Sequence, residues 1–70
     1  MKNTKLINAR KSKGYTQRDV ADFLQIRVST VSNWETGYSR PALDMAIEVA
    51  RYLDADVANL FGTNVQEVHT

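Results

Sequence analysis

Seventy residues with no cysteine and a single histidine make one small domain, without disulfides or a thiolate metal site, whose core supplies only about 3–5 kcal/mol of net stability. A net charge of +1 conceals a division along the chain: residues 1–40 carry eight cations against three acids, net +5, and residues 41–70 carry one against five, net −4. No apolar run approaches the roughly 20 residues that span a bilayer, and MKNTKLINARK has no apolar signal region, so a soluble, unprocessed protein of the cytoplasm is expected.

The first helix is predicted over Thr4–Lys13, with Leu6, Ala9 and Arg10 on one face and Gly14 as its stop. Lys11 and Lys13 suit the negative end of that helix dipole as well as they suit a phosphate. The second helix opens on Thr16 as N-cap. Asp19 three residues on closes an acidic capping box, and Tyr15 and Val20 are spaced for a hydrophobic staple. Val20, Ala21 and Leu24 face inward. Gln17 stands at the first helical position, where backbone donors and the positive dipole end favour an anion.

Gln25-Ile26-Arg27 is too short a break to turn the next helix antiparallel, so Thr16–Gly37 reads as two helices meeting at a steep angle. The third helix is predicted over Val28–Thr36, with Gly37 in the left-handed C′ position. Its faces differ in chemistry. Val31, Trp34 and Glu35 point one way, while Ser29, Ser32, Asn33 and Thr36 form a face of short polar side chains that a helix selected only for stability would not use. Such side chains fit base edges: Asn pairs with adenine, Ser donates or accepts, Arg27 favours guanine, and the Val28 methyls meet a thymine methyl. Glu35, on the inward face, is costly unless paired, and Arg10 offers a bidentate partner.

Tyr38-Ser39-Arg40 forms a loop, and Pro41 is expected in the first turn of a fourth helix reaching Leu53. Leu43, Ala46, Ile47, Ala50 and Leu53 mark its inward face, with Met45 and Tyr52 at the periphery. Asp56 caps a short fifth helix, Val57–Phe61, stopped by Gly62; Leu60 and Phe61 close the core or meet a partner. Residues 1–62 are thus the domain, and 63–70 a tail expected to be flexible, in which His69 is incidental. No nucleophile with its base, metal cluster or phosphate loop is present in the sequence, so an enzyme, a cofactor and a metal are not expected.

Several blocks in order carry a resemblance: Arg10 with Lys13-Gly14, YTQRDVADFL, STVSNWETG, SRPALDMAIEVARYL and the terminal ANLF. Together they resemble the phage-repressor, or XRE, type of helix-turn-helix domain over nearly all of Leu6–Phe61. The resemblance implies an all-α, compact five-helix bundle, lambda-repressor-like, with the helix-turn-helix at helices 2 and 3. It implies base reading by Arg27, Val28, Ser29, Ser32 and Asn33, with the third helix in the major groove. Phosphate contacts are implied for Gln17, with Thr16 beside it, and for Thr36, the Gly37 amide, Tyr38 and Arg40. It also supports the Arg10–Glu35 pair. Three positions depart from the pattern: Gln25 and Asp54 stand at turn glycines, and Arg27 stands where a Ser or Thr cap, worth about 1 kcal/mol, is usual.

The implied function is a sequence-specific regulator of transcription that binds double-stranded DNA. A repressor is expected, sitting as a homodimer on an inverted repeat, because one such motif covers only a half-site. Val57, Leu60 and Phe61 are the candidate dimer interface. The alternative is an antitoxin-type protein-interaction module whose acidic C-terminal part binds a protein partner; co-purification separates the two.

Overall fold

The computed structural model describes residues 2–62, and the tail 63–70, with the expectations for its flexibility and for His69, lies outside them. Five helices follow in order: α1 (Thr4–Ser12), α2 (Gln17–Leu24), α3 (Val28–Thr36), α4 (Leu43–Leu53) and α5 (Val57–Phe61). α2 packs chiefly on α3, and α5 lies against both α1 and α4. The core they share is built from Leu6, Val20, Ala21, Val31, Trp34, Ala46, Val49, Ala50, Leu53, Leu60 and Phe61.

Local chemistry sets the helix starts. The Thr16 hydroxyl accepts from the Asp19 amide at 3.0 Å while the Asp19 carboxylate accepts from the Thr16 amide at 2.8 Å, so the capping box closes in both directions. Asp56 accepts from the Asn59 amide at 3.3 Å and starts α5 as expected. α1 has a cap that sequence reading passed over: Asn3 accepts from the Leu6 amide at 3.0 Å, and the helix ends one residue earlier than expected, with Lys13 as C-cap.

The corner between α2 and α3 takes the costly option. Gln25 adopts φ 60°, ψ 46°, and its amide bonds back to the carbonyls of Ala21 and Asp22. A side chain with a Cβ is strained there by about 1–2 kcal/mol. Gln25→Gly relieves that strain, partly offset by the greater freedom of glycine in the unfolded chain. The expected net gain of about 0.5 kcal/mol raises Tm by about 2–4 °C in a circular dichroism melt. An unchanged or lowered Tm refutes the strain. Asp54 makes the same excursion, φ 56°, after α4, and Arg27 starts α3 without a side-chain cap bond.

Two expectations are corrected around α4, and an alternative left open at α5 is resolved. Pro41 lies outside the helix rather than in its first turn: it is buried and precedes Ala42, the N-cap, so it acts by stiffening the entry to α4. Leu43 and Ile47 are 45% and 38% exposed, and Val49 takes the inward place at 0%. The reason is that Ala46 and Ala50, at 0% and 3%, are the line along which neighbouring helices approach, which turns the flanking Leu43 and Ile47 outward. Leu60 and Phe61, offered as interface or core, are core residues at 2% and 8% exposure, leaving only half-buried Val57 of that trio with accessible surface.

Candidate nucleic-acid interface

The site is built backward from Glu35. Its backbone belongs to α3, its side chain points between α1 and α2, and it is 3% exposed, so its charge must be met from inside the protein. Arg10 Nε donates to Oε2 at 2.6 Å and Arg10 Nη2 to Oε1 at 3.1 Å, the two-pronged geometry of a guanidinium on a carboxylate. A third Arg10 donor, Nη1, reaches the Tyr15 carbonyl at 2.9 Å and ties the residue before the α2 cap into the same cluster. Gln17 Nε2 donates to Glu35 Oε1 at 3.0 Å. Three helices thus meet on one carboxylate, and the start of α2 is locked to the inner face of α3.

Gln17 therefore has a role that spacing did not reveal. It sits where a phosphate contact was expected, yet one of its amide hydrogens is committed to Glu35. The second hydrogen and the backbone amides at the head of α2 are what it has to offer outward. Its sequence signal was present but ambiguous, since a glutamine at the first helical position reads equally as a surface residue.

On the other side of α3 the polar residues are accessible. Arg27 and Ser29 are exposed, Ser32 and Asn33 are half-buried, and Val28 is half-buried with its side chain packed against the core. The end of α3 is exposed but bonded within itself. The Thr36 hydroxyl donates to the Asn33 carbonyl at 3.2 Å and the Gly37 amide to the Trp34 carbonyl at 3.3 Å. Both donors named as phosphate contacts are thus engaged in the last turn of α3, because helix ends satisfy their orphan carbonyls first. The Tyr38 amide also donates to the Asn33 carbonyl, at 2.9 Å, while Tyr38 as a whole is 81% exposed and Arg40 is exposed with no bond into that turn.

Phe23 of α2 and Tyr15, just before that helix, both stack on Tyr52 of α4, with ring centroids 3.8 Å and 4.6 Å away. Desolvation in this stack, and then the neighbouring Tyr15 and Asp19, push the Tyr52 phenol above its ordinary range. Among the described residues no helix is long and apolar enough to cross a membrane, and no group of three acidic or imidazole side chains converges as a metal site.

Comparison with known proteins follows the same boundaries. Residues 6–60 match a family model described as Helix-turn-helix. Over 63 residues the chain is 33% identical to the HTH-type transcriptional regulator AnsR of Bacillus subtilis (strain 168), an alignment covering 90% of this chain and 54% of that protein. The chain spans about half the length of the curated relative it matches. Two short helices at a fixed corner, a polar outer face on the second, and a family match that takes in all of both together mean that the chain belongs to the helix-turn-helix family, in its phage-repressor or XRE branch.

Proposed function

We propose that this domain binds double-stranded DNA in a sequence-specific manner and regulates transcription, acting in the cytoplasm as a repressor that occupies an inverted repeat as a homodimer. The observation that carries the reading is the outer face of α3, whose small polar side chains lie opposite an inner face held at a set angle by Arg10, Gln17 and Glu35. A rigid helix with short donors and acceptors, next to the cationic N-terminal part of the chain, suits the major groove. In this reading Arg27, Val28, Ser29, Ser32 and Asn33 meet bases. Gln17, Tyr38 and Arg40 meet phosphates, and Thr16, Thr36 and Gly37 shape the backbone beneath them. AnsR is named as a transcriptional regulator, which supports the same direction.

Gel-shift titration against a random duplex pool, carried through rounds of selection, tests it. An enriched sequence with two-fold symmetry, bound more weakly as salt rises, is expected. A pool that never enriches, or binding indifferent to salt, refutes the reading. For the homodimer, exposed Leu43 and Ile47, with Val57, replace the buried Leu60 and Phe61 as candidate contacts. Sedimentation of the protein with a one-half-site and a two-half-site duplex measures whether two copies assemble.

A further inference from the structure

We infer that a second backbone-binding site lies outside the helix-turn-helix, in a cleft between the head of α1 and the loop after α3, and that it holds a phosphodiester of the duplex that α3 reads. This rests on the DNA-binding proposal and extends it to Lys2 and Lys5. The cleft has a volume of about 550 Å³, is floored by Trp34 and Phe61, and is rimmed by Lys2, Lys5 and Arg40. No acidic residue lines it, and none of those three cations belongs to an ion pair among the described residues. Three uncompensated cations around one concavity repel one another, and an anion relieves that repulsion.

The position is held, not incidental. The Asn3 amide donates to the Glu35 carbonyl at 2.8 Å and its side-chain Nδ2 donates to the Leu60 carbonyl at 3.0 Å, while its Oδ1 caps α1. One residue therefore fastens the head of α1 to the end of α3 and to α5, and Lys2 and Lys5 flank it. Arg40 is already a proposed phosphate contact, so the cleft continues the same backbone track away from the corner. Its rim of flexible lysines supplies charge without a shaped set of donors, which fits an unbranched polyanion better than recognition of one particular small molecule.

The test is the salt dependence of DNA binding by the full chain, wild type against Lys2→Gln/Lys5→Gln. Each phosphate neutralised contributes about 0.9 to the slope of log affinity against log salt, so the slope is expected to become shallower by about 2. Affinity should fall by about tenfold or more at about 0.1 M salt, equally for all sequences. Lys2→Arg/Lys5→Arg should keep both slope and affinity, and unchanged melting curves show that the Gln variant is folded. A wild type that binds DNA beside a Gln variant with the same slope overturns this inference alone. So does a loss that changes base preference. Saturation of the cleft by inorganic phosphate, read from Trp34 fluorescence, with no change in DNA slope on substitution, identifies a free-anion site and also overturns it. A wild type that binds no duplex overturns the DNA-binding proposal and this inference with it.

Discussion

Glu35→Ala is expected to remove about 3–5 kcal/mol of stability, which for a domain of this size is most or all of what it has. The loss does not come from the ion pair as an attraction. Arg10 is 9% exposed, and without Glu35 its guanidinium keeps the bond to the Tyr15 carbonyl while two donors face no acceptor in a place water reaches poorly. Arg10→Met is expected to do comparable damage from the other side, leaving a carboxylate that is 3% exposed with Gln17 as its remaining partner. Both variants should lose a cooperative thermal transition near ambient temperature, followed by circular dichroism. The double variant Arg10→Met/Glu35→Leu should recover much of the loss, since no unpaired charge remains. If the two single variants melt within a few degrees of the wild type, the cluster is not what holds α1, α2 and α3 together.

Asn33→Ala and Gln17→Ala are expected to weaken DNA binding in different ways. Removing Asn33 should erase about 1–3 kcal/mol of discrimination at one base-pair position while leaving non-specific affinity nearly intact. Removing Gln17 should weaken all duplexes about equally, because a backbone contact carries no sequence information. The structure adds a second effect for Gln17. Its amide is one of three donors on Glu35, so Gln17→Ala should also lower stability by about 1 kcal/mol. Gln17→Glu should do worse on both counts, since it sets a like charge against Glu35 and against phosphate. Binding measured on a panel of single-base variants of the selected site, with melts in parallel, separates the effects. Equal, sequence-independent losses for Asn33→Ala and Gln17→Ala refute the division between reader and clamp.

The legibility of this chain follows the range over which each cause acts. Thr16, Asp19 and Asp56 bond to amides three residues away, so spacing alone located those helix starts, and Gly37 likewise marked the end of α3. The Arg10–Glu35 pair acts across 25 residues and was still readable, because a carboxylate on an apolar helical face has few ways to be satisfied. The candidate base-reading face was readable for a complementary reason: serine and asparagine in an outward stripe have no better structural purpose.

What spacing could not give was rotation and docking. Leu43, Ile47 and Val49 are all compatible with an inward face of α4 at 3.6 residues per turn, and only the close approach of neighbours along Ala46 and Ala50 selects Val49 and leaves the other two exposed. The same holds for the bond from Gln17 to Glu35, for the internal engagement of Thr36 and Gly37, and for the clustering of Lys2 and Lys5 with Arg40. The amino-acid sequence by itself determined the five helices, the caps of α2 and α5, the buried pair and the polar face of α3, because those depend on local hydrogen bonding and on the cost of burying charge. Only the tertiary structure decided how far each helix turns about its axis and which distant cations share a cleft. Those depend on side-chain volumes meeting across elements far apart in the chain.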